Sequence, residues 1–322
     1  MVYMDIAISI FVKQYHYILN EKKIRDLLNE IVIDRLTKYP KEELEILDMY
    51  YNKAKFICTI YKGILKFTAV GYISLPAIPS LLNIIKPLNE SRGRELVYPA
   101  YYFVDEQRYY FPIITHMVMA VIVLNVVYMA SDISLIYIIH HACSLLSISG
   151  YQFKHSFDEV SRCDEKDNDV RQKANVYRAI NGHKRAVEFV NKVNDCYTHY
   201  FLLLLGLIIV AFTSSFVRLS MMEKGFNYYV FCLFTFAQLF HLFFLMSLGQ
   251  FVINVHDEVY QSIYEAKWYN GASKTQLLYV LVLRKCLNSP ALTGEGLIPL
   301  NFYSFVQVLK LSFSYYTVFS SQ

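Results

Sequence analysis

The sequence predicts an all-α fold, a polytopic bundle of membrane helices, and three observations carry that expectation. The 322 residues are 55% hydrophobic, 16% aromatic and only 18% charged, against about 25% charged in an ordinary soluble domain. Five apolar stretches exceed the roughly 20 helical residues that a bilayer core requires. The basic residues also alternate between the joining loops, 21 on one set and 6 on the other, the asymmetry that fixes orientation in a membrane. With 11 Gly, 8 Pro and 6 Cys, the chain is neither collagen-like, nor disordered, nor a disulfide scaffold. A net charge of +4 is too mild to indicate a nucleic-acid partner.

Each element follows in order. Residues 1–18 hold an apolar run too short to span and broken by Asp5. They lack the cationic start and cleavage site of a signal peptide. They read as the second half of a membrane helix, so the chain is expected to begin partway through a longer protein. A polar, eight-fold basic segment, 19–55, reads as a cytoplasmic helical loop. The next span, 56–85, carries Pro76 and Pro79, which should kink its outer end. An outer loop, 86–111, contains the sequon Asn89-Glu90-Ser91, a candidate glycosylation site. The long span 112–150 opens on Pro112, a residue suited to a helix start. A basic cytoplasmic loop covers 151–196, followed by a span at 197–220 containing FLLLLGLIIVAF, an outer loop at 221–227 and a span at 228–255. Residues 256–295 form a cytoplasmic segment and 296–322 the last span, which leaves the C-terminus outside. No cysteine falls in an outer loop.

Enzyme chemistry finds no support: HExxH, GxSxG and CxxC patterns are absent, as is any cofactor or phosphate-binding loop. His140 and His141 are adjacent, so they point to different helix faces and make a poor metal site. His256-Asp257-Glu258 reads as a solvated helix end. His241, inside a span, reads as a buried hydrogen-bonding group or a functional one.

The closing segment is the most specific part. Phe302-Tyr303-Ser304-Phe305, then Lys310-Leu311-Ser312-Phe313-Ser314-Tyr315, resembles the final helix of the insect odorant receptor family. Tyr264-Glu265-Ala266-Lys267-Trp268-Tyr269 resembles that family's aromatic element after the sixth span, and Gly182-His183-Lys184-Arg185-Ala186 its element before the fifth. The long helix ending in His140-His141-Ala142-Cys143 also fits. The resemblance implies a seven-span odorant-receptor fold in which this chain lacks the first span and part of the second.

It further implies a ligand-gated, non-selective cation channel in the plasma membrane of olfactory neurons; a gustatory-receptor-like channel and a non-conducting truncated receptor are the alternative readings. The assembly would be a heterotetramer with an odorant receptor co-receptor, binding a small volatile odorant among membrane lipid. Its pore would be lined by the last helix, with Val318 at the hydrophobic constriction. The 3,4,3,4,3 spacing of Ser304, Gln307, Leu311, Ser314, Val318 and Ser321 supports one mostly polar face there. The alternative reading of that stripe is helix packing through small serines, and Lys310 could snorkel or make an interfacial contact. By resemblance the odorant cavity lies in the outer half of the bundle. The positions it points to are Tyr3; Gly71, Tyr72 and Leu75; Met117 and Val121; and Tyr228, Tyr229 and Cys232. Ile263, Tyr264, Trp268 and Tyr269 would form an aromatic ridge for subunit contact.

Overall fold

A computed structural model describes residues 2–85, 96–98, 100–158, 165–288 and 290–320. Helix α1 (Val2–Leu19) leads into α2 (Glu21–Leu36) through Asn20, whose side chain turns back on the His16 carbonyl at 3.2 Å. Pro40 then starts α3 (Lys41–Ser74), with Glu42 and Glu43 in the first turn, where negative charge suits the helix dipole. Pro76 cannot donate the next helical hydrogen bond, so the chain breaks there and resumes as α4 (Ala77–Ile85).

Helix α5 (Tyr110–Lys154) is continuous over 45 residues, a rod of about 67 Å. Helix α6 (Glu165–Met221) has 57 residues, so much of the polar segment before the fifth span is itself helix. Helix α7 (Phe226–Glu265) returns, followed by a short turn at Trp268–Asn270 and α8 (Ser273–Cys286). A two-stranded antiparallel hairpin, β1 (Thr293–Gly294) and β2 (Ile298–Pro299), precedes α9 (Phe302–Ser320). Gly296 supplies the left-handed conformation its loop needs, at φ 68°.

Helices α3, α5, α6 and α7 are long and apolar enough to cross a membrane. The end carrying α2, the start of α6 and α8 is the base of the bundle, and the end carrying α4 and the 96–109 loop is its tip. The main core fills the base half. From Leu135 to Phe153, α5 is almost wholly buried against Val190, Val193 and Phe201 of α6 and Leu242, Val252 and Val259 of α7. The hairpin docks on α6, because Asn194 Oδ1 accepts from the Thr293 amide at 2.7 Å and the Thr198 hydroxyl donates to the Thr293 carbonyl at 3.0 Å. That docking sets where α9 starts.

Candidate functional site

At the tip, a second apolar cluster stands apart from the main core. Val97, Ile113 and Met117 are buried in it, and Tyr72, Val121 and Tyr98 pack around them. Met117 is 0% exposed. Three candidate ligand positions from two different helices, Tyr72, Met117 and Val121, therefore meet in one place. Leu75 is half-buried about one turn beyond Tyr72, while Gly71 is exposed, and a Cβ placed on it would meet nothing within 4 Å. On α7, the Tyr228 and Tyr229 rings meet edge-on at 5.6 Å and Tyr229 points outward. Cys232 lies one turn further on and is half-buried. Tyr3 sits in the first turn of α1. Asn89 and Ser321 lie outside the described residues.

Helix α9 packs on α6 and α7 through Ser304, Val308 and Ser312, spaced four residues apart on one buried face. The Thr213 hydroxyl of α6 donates to the Ser312 carbonyl at 3.3 Å. Phe216 of α6 meets Phe313 and Tyr316, and Phe243 of α7 stacks on Phe302 at 5.7 Å. Ser304 is thus corrected from the expected exposed stripe to the packed face, at its border. Gln307, Leu311, Ser314 and Val318 remain together on an exposed face, beside Lys310. The polar members of this helix keep it outside the set of strongly apolar spans.

The expected aromatic ridge divides in the same way. Ile263 is fully buried, because it continues the Val252–Val255–Val259 face of α7 into the chain's own core. It does not belong to an exposed ridge. Tyr264 and Tyr269 are each 63% exposed, and Trp268 is half-buried with its indole N–H donating to the Tyr264 carbonyl at 3.3 Å.

Three polar groupings escaped the sequence reading. In mid-bundle, Lys13 of α1 meets Asp132, the middle residue of α5, at 2.6 Å, with both side chains buried. The Tyr61 hydroxyl of α3 donates to the other carboxylate oxygen, and the Lys13 ammonium sits 3.4 Å from the centre of the Tyr128 ring, which in turn faces His241 at 5.2 Å. An ionisable pair inside a membrane helix bundle is costly and points to function or assembly. Lys13 and Asp132 as lone charges of opposite sign in apolar segments were the available signal.

At the base, Asp34 of α2 accepts from His141 of α5 at 3.0 Å and from Arg185 of α6. Burial opposes the Asp34 charge, but the hydrogen bonds from His141 and Arg185 outweigh it and hold the carboxyl below its ordinary value. Glu43 pairs with Arg178 at 2.7 Å in the same region. Also at the base, His183, His256 and Cys286 cluster, all buried. His256 is 1% exposed, so the solvated helix end expected there is corrected: Asp257 and Glu258 face out while His256 turns in beside Val255 and Val259. A void of about 20 Å³ between α2, α3 and α5, bordered by Arg35, Tyr50 and His140, has room for about one water.

A bundle of long apolar helices, with an apolar tip cluster and a polar-striped final helix, defines a polytopic α-helical membrane protein. The chain belongs to the 7tm odorant receptor family, whose model matches residues 1–313. It is accordingly a chemoreceptor of the membrane and not an enzyme. No curated protein matches the sequence. Among solved structures it is similar to the insect olfactory receptor OR5 from Machilis hrabei, with a TM-score of 0.76 at 15% identity, covering 99% of this chain and 79% of that one. The same receptor in complex with eugenol gives a TM-score of 0.73 at 14% identity, covering 98% and 78%. That likeness extends the expected all-α receptor fold to the full length described.

Proposed function

We propose that this odorant receptor is the ligand-binding subunit of a ligand-gated, non-selective cation channel. It works in a heterotetramer with a co-receptor of the same fold, in the dendritic plasma membrane of olfactory neurons. The observation that carries the reading is α9. A helix whose partners bury one face leaves Gln307, Leu311 and Ser314 uncovered, and a polar stripe facing lipid is expensive unless it faces water or another subunit. Val318, exposed near the tip end of the same face, narrows the path with an apolar ring that gates by dewetting.

The ligand is a small, largely apolar volatile, held at the tip between α3, α5 and α7. Met117 shapes the cavity, Tyr72 and Val121 line it, and Tyr228, Tyr229 and Cys232 close it from α7; Gly71, Leu75 and Tyr3 complete the wall. Tyr264, Trp268 and Tyr269 contribute to subunit contact at the base, which is cytoplasmic, and the C-terminus is extracellular. Asn89 accepts glycan on the outer face.

Co-expression with a co-receptor tests this, with eugenol first in an odorant panel because a receptor of the same fold binds it. Odorant-evoked cation current is the expected result, and Val318→Ala should raise the current at rest. Absence of current across a broad panel, from a chain that reaches the surface, would refute the channel reading. Current without any co-receptor would refute the heterotetramer alone.

A further inference from the structure

We propose that His183, His256 and Cys286 form a binding site for a borderline-soft transition-metal cation, with Zn²⁺ as the ion that fits the donor set. The three residues come from α6, α7 and α8 and are separated by 73 and 30 positions in the chain. The fold brings one donor atom of each within 4.8 Å of the others. They are 8%, 1% and 4% exposed respectively, so the site is enclosed at the base of the bundle and does not rest on a surface cluster.

The spacing is close to what a bound ion needs. Tetrahedral Zn²⁺ with nitrogen at about 2.0–2.1 Å and sulfur at about 2.3 Å places its ligand atoms about 3.3–3.6 Å apart. Cys286 Sγ and His183 Nε2 are already 3.4 Å apart. Closing the remaining ligand distances takes a movement of about 1 Å, within the reach of a side-chain rotation. Two imidazoles and a thiolate are the donors that favour Zn²⁺ over Mg²⁺ or Ca²⁺, both of which prefer oxygen.

Two further observations point to a ligand. His183 Nδ1 is paired with Ser149 Oγ of α5 at 3.3 Å, and that hydroxyl donates to the Leu146 carbonyl at 2.7 Å. The serine oxygen therefore accepts the Nδ1 proton, which leaves the Nε2 lone pair facing Cys286. Metal-bound histidines are oriented by this kind of outer partner. Secondly, His256 Nδ1 is buried with no hydrogen-bond partner among the described residues. An unpaired buried nitrogen costs free energy, which an ion would recover where Nδ1 is the coordinating atom of His256.

The two imidazoles are in the neutral form that coordinates, whereas the thiol must lose its proton to the metal. Burial, and then the charge of the neighbouring His256, lower His183 to about 4, so its ring is neutral at physiological pH. Burial also lowers His256. Burial raises the Cys286 thiol to about 11. Binding therefore breaks the S–H bond, forms the S–metal bond and releases one proton to solvent for each ion taken up. Three protein donors leave the fourth position to water. The ion would clamp α8 to α6 and α7, next to the hairpin from which α9 starts. This assignment stands independently of the channel reading.

The experiment uses the full chain purified in detergent under reducing conditions, with an affinity tag that contains no histidine. Zinc content is measured after equilibration with Zn²⁺ and gel filtration, and Co²⁺ serves as the spectroscopic probe. The expected result is about one Zn²⁺ per chain, with tetrahedral Co²⁺ bands and a thiolate-to-cobalt charge-transfer band. Cys286→Ser should abolish the charge-transfer band, and His256→Gln should weaken zinc retention at least tenfold. Because a variant could fail to fold, the unaltered chain is also melted with Zn²⁺ and with chelator. A higher melting temperature with Zn²⁺ supports the site through preferential binding to the native state. An unaltered chain that elutes without zinc and melts identically in both would overturn the proposal, as would an unchanged cobalt spectrum in Cys286→Ser. Either result leaves a metal-free His–Cys–Ser hydrogen-bond cluster.

Discussion

Replacing Lys13 by methionine removes the cation from the centre of the bundle and strands the Asp132 carboxylate with Tyr61 as its remaining donor. Both partners are nearly sealed from solvent, at 0% and 6% side-chain exposure, so the discount that applies to surface ion pairs does not apply here. Removing one member of a buried pair costs about 3–5 kcal/mol. A receptor with a typical margin of about 5–15 kcal/mol would lose a large share of its stability. Asp132→Leu should behave the same way, because it strands the ammonium over Tyr128.

The double variant Lys13→Met/Asp132→Leu removes both charges, and replacing a whole buried pair with apolar groups is often neutral. We predict that each single variant lowers the surface-exposed fraction at least tenfold, in line with a cost above about 1.4 kcal/mol. The double variant should recover to within about twofold, so the two single costs should fail to add by nearly their whole sum. Surface biotinylation gives the fraction, and melting in detergent followed by size-exclusion fluorescence gives the stability. Single variants indistinguishable from the parent, or a double variant equal to the sum of the two, would refute the argument.

Three other expectations follow from the geometry. Met117→Trp overfills the tip cluster around Val97 and Ile113, so odorant potency should shift by about tenfold or more at an unchanged surface level, read as a dose–response midpoint; an unaltered midpoint would place the cavity elsewhere. Gly249→Ala places a Cβ against the Leu300 carbonyl, with the Leu300 carbonyl carbon at 2.9 Å, so the start of α9 must move and the resting current should change, while Gly63→Ala, with open space around it, should leave it alone. Asp34 is held below its ordinary value of 3.8, so its stabilisation is complete above that pH and is lost as pH falls through the depressed folded value. The melting difference between the parent and Asp34→Asn should therefore stay flat from about pH 8 to 5 and shrink below about pH 4; a difference that grows with acid would reverse the sign assigned here.

Much of the fold was legible because the signals were local. Pro40 and Pro76 mark boundaries that the helices respect, and the apolar lengths of α5 and α7 set the long rods. The continuity of α6 was harder to read, because residues 170–196 are largely polar on their outer face and carry their apolar contacts at Val176, Ala179, Ala186 and Val190, a helical spacing that composition hides. Site residues followed the same division. Tyr72, Met117 and Val121 sit on helical repeats and converge, while Ile263 and Ser304 sit on repeats that lead into the core. The Lys13–Asp132 and Asp34–Arg185 pairs join residues 119 and 151 positions apart, and nothing in one sequence couples positions that distant. His256 was readable after all: it continues Val252 at i+4 and precedes Val259 at i+3, the face of α7 that is buried.

The two halves of α5 explain how a receptor of this form could pass a signal along its length. Between Tyr110 and Ala130 only Ile113 and Met117 are buried, whereas nearly every residue from Leu135 to Gly150 is. A loosely packed tip can admit a ligand and repack around it, because few contacts must be broken. A dense base cannot deform continuously, since close-packed interiors resist small displacements and transmit strain instead. The Lys13–Asp132 pair lies where the two regimes meet, at the middle of the rod. On the proposed channel reading, a shift of α5 at the tip would be carried as a rigid movement past that pair, to the base helices and the hairpin that positions α9. If so, variants that weaken the pair without removing it, such as Tyr61→Phe, should lower odorant efficacy more than potency. An equal fall in both would mean that the pair only holds the fold.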